Sequence, residues 1–396
     1  MMQISPETQL FIREHSSDDV RALALQAKKF PDIDMPTAIT QIAGRKVAAE
    51  KIPSWWEIEK IWYPKHLSLE QCSSEITARY KARLLQGDSL TDLTGGFGID
   101  CSFLATGFKS ATYVERQEEL CEIAAHNFPV LNLNHINIKN EDGVTYLQVM
   151  SPVDCLFLDP ARRNEHGGKT VAISDCEPNV AELEELLLQK ANRVMIKLSP
   201  MLDLSLALKE LKQTQEVHIL SVNNECKELL ILLGQTSPAE ISIHCVNLFT
   251  KGTQKEQHFV FTREQEQCSE CTYTDSLETY LYEPNASLLK AGAFRSIAAA
   301  YPVRKLHPNS HLYTSDTFIE NFPGRIFRIV NQCSFNKKEV KENLAGLKKA
   351  NVTVRNFPAT VAELRKRIHL AEGGDTYLFA STLNNGQKVL IRCEKV

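Results

Sequence analysis

Residues 92–100 read DLTGGFGID, with glycines at 95, 96 and 98 between two apolar runs. So bare a turn lets a nucleotide-like ligand lie against the backbone, at the N-terminus of a helix that follows from Ile99. The spacing is G-G-x-G rather than G-x-G-x-x-G, and no lysine follows as a phosphate loop would require. Glu115 closes the run SATYVE about 20 residues on, where an acid can accept hydrogen bonds from both ribose hydroxyls. Asp142, after INIKN, is placed to accept from an adenine amine. Asp92, Thr94, Gly95, Gly96, Gly98, Glu115, Arg116 and Asp142 are therefore the candidate cofactor-binding residues. The rival reading of the glycines, an NAD-type dehydrogenase, would have a different spacing and a sheet that does not end in a hairpin.

A second set of residues is suited to holding a substrate or a proton. Asp159 and Pro160 end DCLFLDP, and Arg162 and Arg163 follow. A carboxylate at that rim can orient an amine or take its proton. The arginines can bind a phosphate or stack on a base, or else make surface salt bridges. Lys197 interrupts the apolar run RVMIKLS. Burying it unpaired would be costly, so it is predicted to meet a partner, with Asp159 the candidate. Asp159, Pro160, Arg162 and Lys197 are the candidate catalytic residues. The polar, glycine-containing stretch NEHGGKTVAIS reads as a loop over the substrate, with His166 and Lys169 as further acid–base or phosphate-binding groups.

These residues need a scaffold that brings strand ends together. SLTDLT, SATYVE, INIKN, DCLFLD and RVMIKLS read as strands, with EELCEIAAHNF, EDGVTYLQVM and PNVAELEELLLQKA as helices between them. Such alternation implies a parallel sheet covered on both faces, and open sheets of this kind bind ligands at the carboxyl ends of their strands. VHILSV and KELLILLG, separated only by NNEC, read as a hairpin that ends the sheet in an antiparallel pair. Residues 1–85 are predicted as a helical N-terminal region, including one helix through SLEQCSSEITARYKARLL that enters the next domain. Trp55 and Trp56 are expected in a core or domain interface. The sheet domain is assigned to 86–283, with 240–283 as a strand-rich extension. A small α/β (ferredoxin-like) unit spans 284–322 and a basic module 323–396.

The 396 residues are 43% hydrophobic and 24% charged, an ordinary globular composition. There is no apolar run long enough to cross a membrane and no signal-peptide pattern in MMQISPETQLFIREHSSDD, so a cytoplasmic protein is expected. The eleven cysteines are scattered apart from Cys268 and Cys271, and His258 is poorly spaced to join that pair. Reduced thiols and no metal are expected. Residues 325–396 hold 14 Lys and Arg against 6 Asp and Glu, a net +8. With the whole chain at −4, the remainder stands at −12. The basic module suits a polyanion such as nucleic acid, or else its lysines simply face water.

DLTGGFGID, YVERQEELCEIAAHN, NEDG, LDP and a terminal hairpin, in that order, resemble a class I S-adenosylmethionine-dependent methyltransferase over about residues 70–235. More closely, SSEITARYKA, LDPARR, IKLSPMLD, NNECKELL, EPNASLLKAGAF and RNFPATVAELRKR make the whole chain similar to a bacterial methyltransferase family with a THUMP-like C-terminal domain. The resemblance implies a Rossmann-like seven-stranded sheet with an antiparallel last strand, flanked by the N-terminal helical region and small C-terminal α+β domains. It implies S-adenosylmethionine as cofactor, with the glycine loop facing its methionine part and the second-strand acid on its ribose. Relatives that methylate exocyclic amines end the fourth strand D/N-P-P followed by an aromatic. Here Ala161 and Arg162 replace the second proline and the aromatic. The expected function is methyl transfer to a nucleobase in RNA (tRNA or rRNA), with Arg162, Arg163 and the basic domain contacting it. The alternatives are a protein or small-molecule acceptor, or a non-catalytic RNA-binding protein that keeps the cofactor fold.

Overall fold

The computed structural model describes residues 4–162, 172–236 and 238–396, with the side chain of Arg162 excepted. Contacts divide the chain into two units, residues 1–215 with 229–238, and residues 216–228 with 239–396.

The first unit is built on strands β1 (Ser89–Asp92), β2 (Ser110–Glu115), β3 (Ile136–Asn140), β4 (Val153–Leu158) and β5 (Ala191–Leu198). β6 (Thr214–Val222) and β7 (Glu225–Gly234) form the hairpin, and Leu229–Gly234 of β7 completes this unit's part of the sheet. Its order is β7-β5-β4-β1-β2-β3. β1 to β5 run parallel, and β7 is antiparallel to β5, with Arg193 opposite Gly234 and Leu198 opposite Leu229. Parallel strands covered on both faces must be apolar at consecutive positions. Val194, Met195 and Ile196 are accordingly fully buried, as are Leu156 to Leu158 nearly so. Each such side chain contributes about 1.5–3 kcal/mol, so the buried Lys197 in the same run needs compensation elsewhere.

Helices α1 (Pro6–Glu14), α2 (Val20–Leu25), α3 (Met35–Lys51) and α4 (Glu75–Ala82) precede the sheet. α5 (Ile99–Ala105), α6 (Glu118–Val130), α7 (Gly143–Val149), α8 (Val180–Lys190) and α9 (Leu204–Glu210) connect its strands. The single helix expected through SLEQCSSEITARYKARLL is two, His66–Gln71 and α4. The chain breaks at Cys72–Ser74, where Cys72 and Ser74 have extended backbone and Ser73 turns its hydroxyl inward to Asp100. Trp55 is buried edge-on against Phe97 of the glycine turn, with ring centroids 5.2 Å apart. It shares a core with Ile61, Tyr63, Ala78 and Ile99. The helical N-terminal region thus forms the packed back of the glycine turn. Trp56 is exposed, with the Arg45 guanidinium over its ring.

In the second unit β6 pairs in parallel with β8 (Ser242–Leu248), and β8 antiparallel with β9 (Glu256–Thr262). HFVFTREQ does not stay extended. Thr262 and Gln265 form a capping box, and Arg263–Cys268 turns helical. A separate seven-stranded sheet joins β10 (Tyr280–Pro284), β11 (Arg304–Lys305), β12 (Tyr313–Ser315), β13 (Gly324–Ser334), β14 (Asn351–Val354), β15 (Thr376–Thr382) and β16 (Lys388–Lys395) in the order β11-β12-β10-β13-β16-β15-β14. Helices α10 (Lys337–Asn343) and α11 (Val361–Ile368) pack over one core of Leu344, Ala350, Leu364, Leu378 and Leu390. Among the described residues, no helix is long and apolar enough to cross a membrane.

Candidate active site

The turn between β1 and α5 owes its three glycines to different causes. A Cβ at Gly95 would lie 2.2 Å from the ring of Tyr113, which packs against the turn and donates its hydroxyl hydrogen to the Gly96 carbonyl. Gly98 caps α5 with φ +86°, and a Cβ there would also crowd Phe128. Gly96 has φ +55°, but its Cβ would meet nothing nearer than 3.8 Å. Two of the glycines therefore serve the fold, and Gly96 is the one that presents bare backbone to open space.

Glu115, at the end of β2 and 8% exposed, accepts the Gly96 N–H on one oxygen (2.9 Å) and the Gln117 N–H on the other (2.8 Å). Each oxygen keeps a lone pair for a ligand hydroxyl. Asp92 is fully buried. Its Oδ1 accepts the Thr94 N–H at 2.9 Å, while Oδ2 has no partner among the described residues. Burial pushes this carboxyl up to about 8, against the pull of the Thr94 N–H, and the nearby charges of Asp100 and Asp159 add to the rise. Thr94 also ties the turn to the fourth strand, because its Oγ1 accepts the Asp159 N–H at 2.6 Å.

Asp142 is exposed and caps α7, with Oδ1 taking the Val144 and Thr145 N–H groups at 3.0 Å each. Arg116 pairs with Glu177 at 3.2 Å on the surface. Pro160 is buried directly after Asp159. The side chain of Arg162, together with Arg163, His166 and Lys169, lies outside the described residues; the Arg162 backbone pairs with Cys176.

Lys197 bonds Asp159 Oδ2 at 2.5 Å. The pair belongs to a longer buried chain. Lys197 also contacts Asp100 Oδ2 (3.2 Å) and Ser73 Oγ (3.0 Å), and Lys81 reaches Asp100 Oδ1 (2.8 Å) and Ser73 Oγ (2.7 Å). Lys81 is fully buried. Two cations and two carboxylates alternate, so each buried charge has an opposite neighbour. Burial opposes ionisation of Asp100, but Lys81 and Lys197 outweigh it and hold that carboxyl far below its usual range. Asp159, at the end of the chain, is raised by burial, and Lys197 only partly offsets the rise. Its side chain is 36% exposed, the one member of the chain that opens outward.

Ser73, Lys81 and Asp100 were missed by sequence reasoning. The available signals were a lysine four residues after Thr77 on the inward stripe of α4, and an acid one residue into the helix after the glycines. In the hairpin turn, Asn223 and Asn224 have φ of 50° and 67°, which explains the asparagines as turn formers. Their side chains bond Thr250 and the Ala286 N–H.

Compared with known proteins, residues 280–323 match a ferredoxin-like domain model and residues 324–395 a THUMP domain-like model. A crystal structure from Porphyromonas gingivalis W83, described as a "putative methyltransferase", is 34% identical, covers 100% of both chains and superposes with a TM-score of 0.87. The chain belongs to this family of class I methyltransferases with a THUMP-like C-terminal domain. Within the family fold, the strand order β7-β5-β4-β1-β2-β3 places Asp92, Glu115, Asp159 and Lys197 at the carboxyl ends of their strands. An rRNA methylase from Streptococcus thermophilus is 15% identical over 40% of this chain and 93% of its own (TM-score 0.30). A Streptococcus mutans protein, solved with SAH, is 14% identical over 40% and 96% (TM-score 0.30). That degree of likeness carries no argument about activity. No curated protein matches the chain.

Proposed function

We propose that the protein transfers a methyl group from S-adenosylmethionine to a nucleobase in RNA. The observation that carries this reading is the buried ion chain ending at Asp159, one hydrogen bond from the glycine turn through Thr94. The residues present fit the cofactor. Gly96 offers bare backbone, Glu115 offers two carboxylate oxygens, and the buried Oδ2 of Asp92 awaits a donor or a cation. Asp92, Thr94, Gly95, Gly96, Gly98 and Glu115 would hold it, with Arg116 and Asp142 at the rim. S-adenosylmethionine, when bound, supplies a methyl group already activated on a sulfonium, so no protein nucleophile is needed.

What remains for the protein is alignment and a proton. Lys197 fixes one oxygen of Asp159, which leaves the other to accept a hydrogen bond from an acceptor N–H and, after transfer, its proton. Lys81 and Asp100 hold Lys197 in place. Pro160 stiffens the turn after Asp159, and Arg162 and Arg163 are proposed to bind the RNA. In the THUMP-like domain, Lys337, Lys338, Lys341, Lys366 and Arg367 are exposed on α10 and α11, which cover one core and so share one face of the sheet. Basic side chains grouped in this way support an RNA backbone contact.

The test is transfer of labelled methyl from S-adenosylmethionine into lysate of a strain lacking this protein. Label that nuclease releases supports RNA. Label that only protease releases refutes it in favour of a protein acceptor, and bound cofactor without any transfer to macromolecules moves the acceptor to a small molecule.

A further inference from the structure

A second cluster of reactive side chains lies away from the strand ends, on one face of the sheet portion in the second unit. β6 and β8 run in parallel register with Glu216 opposite Ser242 and His218 opposite His244. β8 and β9 are antiparallel, with His258 opposite Val246. Side chains two apart on a strand share a face, so all five polar residues project the same way. The His218 and His244 rings stack at 4.3 Å and 16°.

The ring nitrogens show where this cluster points. His218 Nε2 lies 3.2 Å from Glu216 Oε2. His244 Nε2 lies 3.1 Å from Ser242 Oγ, across from Glu216, so both Nε2 atoms face the Glu216–Ser242 side. His244 Nδ1 is 3.1 Å from His258 Nε2. One ligand atom each from Glu216, His218 and His244 falls within 4.8 Å of the others. Ligand atoms on one tetrahedral zinc ion, at about 2.0–2.1 Å from the metal, stand roughly 3.3 Å apart. The Glu216–His218 pair is already at that spacing, and small side-chain rotations bring His244 to it.

We propose that Glu216, His218 and His244 bind one divalent ion of the zinc class, and that His258 is the positioning residue. The ion cross-links β6 to β8, which lie side by side in parallel register. A hydrogen bond between His244 Nδ1–H and His258 fixes the tautomer that leaves the His244 Nε2 lone pair for the metal. Two imidazoles and one carboxylate suit zinc, iron(II) or nickel(II) rather than calcium or magnesium. Glu216, with a third of its side chain exposed, leaves a route for the ion and a fourth position for water. Sequence reading tested His258 only against Cys268 and Cys271. Histidines that meet through strand register are invisible to a spacing rule along one chain.

The experiment is calorimetric titration of the chelator-stripped full chain with zinc, in a Cys268→Ser/Cys271→Ser background so that this thiol pair does not compete. The expected result is one ion per chain. His218→Gln and Glu216→Gln should each weaken binding about tenfold or more, and His258→Ala about 10–100-fold with stoichiometry kept. Cobalt(II) should give visible d–d bands that His244→Ala abolishes. Zinc at a hundred times its Kd should raise the melting temperature by roughly 5 °C, and Glu216→Gln, a conservative change, should cut that shift to about half or less at the same zinc concentration. Zinc that binds equally in all these variants, zinc lost on the cysteine substitutions alone, or no binding at all, overturns the proposal.

Discussion

If Asp92 holds a cationic cofactor, its affinity should be set by pH in a window where ordinary carboxylates are silent. Burial puts the Asp92 carboxyl at about 8. At pH 6 about one molecule in a hundred carries the ionised form, and at pH 8 about half do. If binding requires that form, S-adenosylmethionine should bind about fifty-fold more tightly at pH 8 than at pH 6, a change of roughly 2.3 kcal/mol, with one proton released per ligand near pH 7. The cofactor's own amino group also titrates near 8, so the comparison is with Asp92→Asn, which keeps the oxygen that accepts the Thr94 N–H. Calorimetry in two buffers of different ionisation heat measures affinity and proton release together. The variant should bind weakly and lose this pH dependence. The same substitution should stabilise the apo fold. Between pH 4 and 8 the native state holds a proton that the unfolded chain has lost, so stability falls as pH rises through that window and stays low above it. Asparagine removes that loss, and at pH 9 the gain should reach a few kcal/mol. Parallel pH profiles for both proteins would refute the assignment, as would an Asp92→Asn chain that is no more stable than wild type at pH 9.

Four other outcomes follow from the geometry. Gly95→Ala drives a methyl group into the Tyr113 ring and should cost about 1–3 kcal/mol in denaturant unfolding. Gly96→Ala meets no such wall and should cost only about 1–2 kcal/mol for its left-handed backbone while it weakens cofactor binding more than Gly95→Ala does per unit of stability lost. Lys81→Met strands Asp100 with one cation where it had two. It should destabilise by about 3–5 kcal/mol and lower kcat with little change in cofactor affinity, and an unaltered urea midpoint would contradict a buried alternating chain. Lys366→Glu with Arg367→Glu should weaken single-stranded RNA binding and reduce the slope of log K against log salt by about 1.4. An unchanged slope would show that this face of α11 does not touch RNA.

The parts of the fold that could be read in advance are those where one local rule governs. The β1–β5 strands are short apolar runs followed by polar rims, and VHILSV-NNEC-KELLILLG can only fold back on itself. Thr262 shows where local reading stopped short, since an apolar run and a capping box overlap by one residue and the cap decides where the strand ends. The glycines were legible as a bare turn, but not as one position facing open space and two that make room for Tyr113 and Phe128. That division depends on which rings pack behind the turn, and those rings come from β2 and α6.

The ion chain was half legible for the same reason. Lys197 stood out because a lone cation in a buried strand has to be answered, and Asp159 was the nearest acid on a neighbouring strand end. Lys81 and Asp100 sit in sequences that read as ordinary amphipathic helix, where a single charged residue is usually solvated. Only their meeting makes them unusual. Lys81 is fully buried because Asp100 is there, and Asp100 can remain ionised because two lysines face it. The break at Ser73 belongs to the same device, since its hydroxyl is bonded to Asp100 and to both lysines. Leaving the Asp159 terminus partly exposed spares some of the cost of burying that carboxylate, and it keeps one of its oxygens within reach of an incoming group. That the ion chain opens at the carboxyl edge of β4, tied through Thr94 to the glycine turn, is the physical reason to place the acceptor there.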